Sequence, residues 1–270
     1  MENLPDIRAL AKGHVLLVDK PYRWTSFDVV NKLRWLLRQQ LPAPQSAPSD
    51  DPHEESQPLS SRLKIGHAGT LDPLATGLLI ICTGKETKKI DLYQGQEKEY
   101  TGTFAVGATT PCYDLEQPVD KLYPADHITE EMIHAAAKKF TGDLMQVPPL
   151  FSAVKVSGKR AYDIARSGKT AEITPRPVTI SEFEITRIVL PVGKSTTAEV
   201  DFRVVCSKGT YIRALARDLG VELKSGAHLT ALCRTRIGTF RLEEAWPLKD
   251  LVERLGGTLT HDKNKIEPRG

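Results

Sequence analysis

The sequence predicts an α+β fold built on a mixed sheet. Strand-like and helix-like stretches follow one another without the regular alternation that a doubly wound sheet requires. Residues 178–190 and 197–206 both read as strands, separated only by a turn at Pro191-Val192-Gly193. The 270-residue chain is 40% hydrophobic, enough for one good-sized core or two closely packed lobes. No internal repeat is visible.

His14-Val15-Leu16-Leu17-Val18 is a strand that ends at Lys20-Pro21. Ser26 is placed as the N-cap of a helix carrying Phe27, Val30, Leu33 and Leu37 at near-helical spacing, and that pattern breaks at Leu41. Residues 41–61 hold five prolines, five serines and no aromatic residue. Such a segment cannot offset its ordering entropy by apolar burial and is expected to be a mobile insertion. Leu78-Leu79-Ile80-Ile81-Cys82 reads as a buried strand, and Glu99 to Val106 alternates in strand fashion. Thr129 caps a helix that gathers Met132, Ile133, Ala136, Ala137 and Phe140 on one face and ends near Gly142. Thr210 to Leu219 reads as a helix stopped by Gly220. The expected organisation is one domain over residues 1–250 and a polar tail over 251–270.

Composition narrows the function classes. No stretch reaches the roughly 18 consecutive apolar residues that a membrane helix needs, and the N-terminus lacks the regions of a signal peptide. A cytoplasmic protein is expected, with no membrane partner. Cys82, Cys112, Cys206 and Cys233 show no C-x-x-C spacing, so buried free thiols are expected and neither a zinc site nor a disulfide framework is indicated. Net charge is only +3. However, residues 41–61 contain four acids and no Lys or Arg, and setting them aside leaves 37 basic against 30 acidic residues, a balance of +7. That is consistent with an RNA partner. Thr83-Gly84-Lys85-Glu86 has the look of a phosphate loop, but Leu79 stands where its first glycine belongs.

Residues 66–77, Gly66-His67-Ala68-Gly69-Thr70-Leu71-Asp72-Pro73-Leu74-Ala75-Thr76-Gly77, place a single carboxylate among three glycines and two threonines. Glycine admits close backbone approach, and proline biases the residue before it toward an extended conformation. The pattern predicts a shaped loop presenting one acid. The plainer alternative is that Asp72 caps a helix beginning at Pro73.

This loop resembles the catalytic-aspartate motif of the bacterial TruB-type tRNA pseudouridine synthases. Further matches follow in the family's order: Val18-Asp19-Lys20-Pro21 with Trp24-Thr25-Ser26, Pro148-Pro149-Leu150-Phe151-Ser152-Ala153-Val154-Lys155, Ser207-Lys208-Gly209-Thr210-Tyr211-Ile212-Arg213, and Gly226-Ala227-His228-Leu229 with Leu232-Cys233-Arg234-Thr235. Together they cover roughly residues 13–245, and several motifs in order leave little to chance.

The resemblance implies a pseudouridine synthase fold: a mixed, mostly antiparallel sheet with flanking helices and a central active-site cleft. It implies isomerisation of uridine 55 in the T loop of tRNA, without external cofactor or metal, by a monomer. Asp72 is the implied nucleophile, acting on a flipped-out uridine, with Arg213 as its ion-pair partner. Tyr100 and Tyr211 are implied against the flipped base, Tyr211 also as a catalytic residue, and Leu232 closes the pocket. His67 fills the gap left by the extruded nucleotide, and Lys155 contacts substrate. Lys159, Arg160 and Arg166 lie in a basic stretch over 155–176 that fits phosphate contacts. For each residue an ordinary structural role is the alternative: Arg213 as an exposed helical arginine, Leu232 as core, the basic stretch as a solvated face. Phe151 replaces a common tyrosine of the family and Cys233 a common arginine.

Many family members append a small RNA-binding domain, which this chain is expected to lack. Three rivals stand beside the main reading. One is an RNA-guided synthase of the dyskerin type, and another is a tRNA-folding or RNA-binding module without turnover. The third is a carboxylate hydrolase, which needs a second acid; Asp19, Asp28 and Asp114 are available, with no motif to recommend them.

Overall fold

A computed structural model of the chain describes residues 4–41, 63–152, 154–156, 158–167, 171–191 and 196–259. The expected insertion, apart from Leu41, and the turn at Val192-Gly193 lie outside the described residues. In chain order the elements are α1 (Ile7–Lys12), β1 (Val15–Lys20), α2 (Ser26–Gln40), β2 (Ile65–His67), β3 (Thr76–Thr83), a 3-10 turn (Gly84–Lys89), α3 (Ile90–Gly95), β4 (Lys98–Val106), β5 (Ala108–Thr109) and β6 (Lys121–Leu122). They continue with α4 (Glu130–Lys139), β7 (Gly142–Gln146), β8 (Lys155–Val156), β9 (Lys159–Arg160), α5 (Ala161–Arg166), β10 (Arg176–Val189), β11 (Ala198–Cys206), α6 (Ile212–Glu222), β12 (Ala227–Ile237), β13 (Phe240–Arg241), β14 (Trp246–Pro247) and α7 (Leu248–Arg254). The chain divides into two compact units, one of Met1–Pro73, Gly77–Gln94 and Phe240–Gly270, the other of Leu74–Thr76 and Gly95–Thr239.

In the first unit β1 runs antiparallel to β3, with Leu17 opposite Ile80, and parallel to β14, with Val18 opposite Trp246. β2 pairs antiparallel with β3, setting His67 opposite Ile81. β3 is buried from Gly77 to Thr83, as its apolar run predicts. α2 lays Val29, Val30, Leu33, Leu36 and Leu37 into a core shared with Leu79, Ile81 and Trp246. Its N-cap is Thr25, one residue before the expected Ser26: the Thr25 hydroxyl accepts from Asp28 N–H, and the Asp28 carboxylate accepts from Thr25 N–H. This reciprocal pair satisfies two of the orphan amide groups at a helix start. Phe27, expected on the apolar face, is 62% exposed because it falls off the stripe that Val29 and Val30 define.

Ordered structure continues past residue 250, where the polar tail was expected to begin. Leu248, Leu251, Val252 and Leu255 recur at i, i+3, i+4 and i+7 and enter the same core. Two apolar turns among charged residues escape a compositional reading.

The second unit is an antiparallel sheet in the order β12-β4-β11-β10-β7. Central β4 places Tyr100 opposite Val204 and Arg234, and Gly102 opposite Leu232. Alternation separates two faces. On one, Phe104 stacks on Phe202 with ring centroids 4.1 Å apart, and Phe183 meets both edge-on. On the other, Arg203 joins Glu99 at 2.8 Å and Glu182 at 2.6 Å, and Arg236 joins Glu97 at 3.0 Å. α4 is capped by Thr129, and its buried face is Ile133, Ala136 and Ala137.

α6 begins at Ile212 and runs through Gly220, which was expected to stop it. Glycine is needed there for proximity: a Cβ at residue 220 would lie 2.4 Å from the backbone nitrogen of Ala227. Gly220→Ala should therefore destabilise the fold, by about 1–3 kcal/mol as overpacking does, despite alanine's better helix propensity. The denaturant midpoint measures this, and an unchanged or raised midpoint would refute the close-approach account. Cys82, Cys112 and Cys206 are buried free thiols as expected, whereas Cys233 is half-exposed on β12. Among the described residues no helix is long and apolar enough to cross a membrane, and no group of three or more His, Cys, Asp or Glu side chains is arranged to hold a metal ion.

Candidate active site

No helix forms after Asp72. Pro73 and Leu74 make a turn, and the chain enters β3 at Thr76. In the first unit the loop is restrained on both sides of the carboxylate. Before it, the Ser26 hydroxyl accepts from Leu71 N–H at 2.8 Å and donates to Leu71 C=O at 3.3 Å. After it, Pro73 C=O accepts from Arg23 N–H at 2.8 Å and from Lys20 Nζ at 3.3 Å. Lys20 is fully buried, and its ammonium also donates to the carbonyls of Trp24 and Pro21 at 2.6 and 3.1 Å. A buried ammonium is tolerated when it is surrounded by acceptors, and here they include carbonyls of the turn that follows β1 and of the Asp72 loop itself.

Ala68 N–H donates to Ile80 C=O at 2.9 Å, tying the loop's other arm to β3. Gly69 and Gly77 take φ of +99° and +98°, conformations that side chains disfavour. Leu71 and Ala75 are buried while Asp72 is half-buried, so the loop's apolar residues anchor it and the acid stays accessible. His67 is half-buried at the end of β2.

In the second unit the remaining residues lie on the central strands β4 and β12, at the start of α6, and on the β8–β9 hairpin with α5. Arg213, in the first turn of α6, is only 6% exposed, which excludes the exposed-helix alternative. Its Nη1 donates to Cys112 C=O at 3.1 Å and its Nη2 to Phe151 C=O at 2.8 Å, while Nε lies 3.5 Å from Asp114 Oδ2. Asp114 is itself buried and accepts from Cys112 Sγ at 2.9 Å and from Glu116 N–H at 3.0 Å. Burial, reinforced by the Asp114 carboxylate, pushes the Cys112 thiol up to about 11, so it remains a protonated donor. Phe151 thus contributes through its carbonyl, which the loss of a tyrosine hydroxyl leaves intact.

Tyr211 occupies the N-cap of α6. Tyr100, on β4, is 9% exposed. Leu232, on β12, is half-buried, in contrast to a fully packed core leucine, and its C=O accepts from Thr76 Oγ1 at 3.4 Å. Lys155, Lys159 and Arg160 lie in the β8–β9 hairpin, and their side chains fall outside the described set. Arg166 is exposed, with its guanidinium carbon 4.5 Å from the centre of the Tyr162 ring.

Several residues that organise these structures escaped the sequence. Asp114 stood out only as one spare acid among three, and Ser26 as a cap. Gln146, described below, carried no signal at all.

The fold is that of the pseudouridine synthases, enzymes that isomerise uridine within RNA. A solved Cbf5-Nop10-Gar1 complex contains a chain that superposes with a TM-score of 0.62 and 27% identity over 92% of this chain, which spans 56% of that chain. Residues 57–212 match the family model described as TruB family pseudouridylate synthase, N-terminal domain. The tRNA pseudouridine synthase B of Flavobacterium johnsoniae is 54% identical over 87% of this chain and 92% of its own length. That of Phocaeicola vulgatus is 49% identical over 95% and 96%. The chain belongs to the TruB family and is a tRNA-modifying isomerase.

Proposed function

We propose that the enzyme converts uridine 55 in the T loop of tRNA to pseudouridine, with Asp72 as the nucleophile, as a cytoplasmic monomer. The observation that carries this reading is the restraint on Asp72: the residues on both sides of it are fixed by hydrogen bonds from Ser26, Arg23 and Lys20. A carboxylate held in this way is preorganised for attack, and the alternative of a helix cap has gone.

The reaction breaks the N1–C1′ bond, turns the uracil, re-bonds it through C5, releases the C5 proton and leaves N1 protonated, so that product and substrate have the same atoms. A carboxylate can assist as a nucleophile or by stabilising positive charge at C1′. A uridine in folded RNA is stacked, so it must first be extruded and given a new stacking surface. Tyr100 and Tyr211 supply rings for that purpose in this reading, Leu232 closes the pocket, and His67 occupies the vacated place in the RNA. Arg213 is the ion-pair partner of Asp72 in this reading.

Mapping pseudouridine in bulk tRNA from cells with and without the protein tests the target. Loss confined to the T loop supports the reading; loss at other positions, or modification that needs a guide RNA, overturns it. Contacts centred on the T arm predict that an isolated T stem-loop is modified nearly as well as whole tRNA. Affinity should fall with salt by about 0.7–0.9 log units per phosphate contact per decade. Lys159 and Arg160 replaced together should flatten that slope and leave the single-turnover rate unchanged, while deleting residues 41–61 should change neither. A stem-loop modified orders of magnitude more slowly would mean that recognition comes from elsewhere.

A further inference from the structure

We infer that Gln146 is a positioning residue for the reaction: its side-chain amide clamps the backbone of Tyr211 and so sets the place of the Tyr211 ring and of Arg213. The inference rests on the proposed role of Tyr211 at the flipped base.

The start of α6 raises a physical problem. N-caps favour Ser, Thr, Asp and Asn, whose short side chains accept from the first helical N–H groups. Tyrosine cannot do this, and Tyr211 makes no side-chain cap. Its backbone is extended, at φ −100° and ψ 111°. A residue whose ring is wanted there for another purpose must have its backbone held from outside the helix.

Gln146 provides that hold. At the end of β7, with its backbone opposite Arg176 and 4% of its surface exposed, it accepts from Tyr211 N–H through Oε1 at 2.8 Å. Its Nε2 donates to Tyr211 C=O at 3.2 Å, the carbonyl that also accepts Leu215 N–H at 3.1 Å. The amide thus matches both polar groups of one residue, as a neighbouring strand would. Two more bonds run along the same face of the helix: Val147 C=O accepts from Arg217 at 2.9 Å, and Phe151 C=O accepts from Arg213 at 2.8 Å. Between them stand Pro148 and Pro149, whose fixed φ stiffens the segment. The 146–151 segment is a strap across the N-terminal end of α6, and Gln146 is its point of contact with the residue that carries the ring.

A residue needed only for folding would affect stability and leave turnover per folded molecule alone. The clamp predicts otherwise, and Gln146→Glu distinguishes the two. Ionised, that side chain can accept from Tyr211 N–H, but it presents a second oxygen to Tyr211 C=O. Protonated, it regains the donor and the original pairing. Single-turnover rates on tRNA are measured from acidic to alkaline pH, each as a ratio to wild type, beside tRNA affinity and thermal melting. Gln146→Glu should lose about tenfold or more in rate at alkaline pH, the scale of an unsatisfied buried group. It should recover most of that loss at acidic pH, with tRNA affinity within about threefold. Gln146→Ala should be slow at every pH. A Gln146→Glu ratio that does not vary with pH, or a Gln146→Ala rate equal to wild type, would overturn the clamp. Tyr211→Leu in the same assay separates the two levels of the argument. If it is slow while the Gln146 variants are normal, the clamp alone fails. If it turns over like wild type, the role of Tyr211 itself fails.

Discussion

Asp72→Asn should abolish isomerisation while leaving tRNA binding intact. The amide has nearly the shape of the carboxylate, so the loop fixed through Leu71 and Pro73 has no reason to move. Asparagine is a far poorer nucleophile and cannot offset positive charge at C1′. The assay is tritium release from C5-tritiated uridine in tRNA under single-turnover conditions, with affinity measured by filter retention. A rate within about tenfold of wild type corresponds to only about 1.4 kcal/mol of barrier and would remove Asp72 as the nucleophile. A variant that loses binding in proportion to rate would instead make the residue part of recognition.

That loop was the most legible part of the sequence because its chemistry is local. Gly69, Gly77 and Pro73 declare a shaped turn by their backbone preferences, and the apolar run after them declares the strand that holds it. Fold class was legible for a similar reason, since the order of strand and helix patterns excludes regular β-α alternation. What the sequence hid depends on partners distant along the chain. Nothing local distinguishes a helix-ending Gly220 from one that admits the backbone of Ala227. Ser26 reads as a cap because caps are what serines before helices usually are, and only the folded chain brings Leu71, 45 positions on, against its hydroxyl. Gln146 sits 65 positions from Tyr211, and a glutamine at the end of a strand has no pattern that would mark it. Phe27 and the two apolar turns around Leu251 show the other limit, that a periodicity of few residues can be misjudged in either direction.

Arg213 carries the second large effect, and its buried setting makes structure and activity separable. Its guanidinium serves two carbonyls and approaches the Asp114 carboxylate with its three nitrogens. Arg213→Lys keeps the charge but replaces a planar fork by a single ammonium on a different stem, which cannot reproduce that geometry. Arg213→Met removes the charge and leaves Asp114 buried without its cationic partner. Breaking a buried pair from one side costs about 3–5 kcal/mol, or on the order of 10 °C in unfolding midpoint for a chain of this size. Both variants should lose at least about a hundredfold in single-turnover rate, roughly 2.7 kcal/mol of barrier. The double variant Arg213→Met with Asp114→Asn removes the stranded charge, so it should recover part of the lost stability. It should recover none of the lost rate, because the cation proposed to pair with Asp72 is still missing. A double-mutant cycle on both quantities decides the matter. If rate returns together with stability, Arg213 is a structural arginine, and the activity lost in the single variant is only the loss of folded protein.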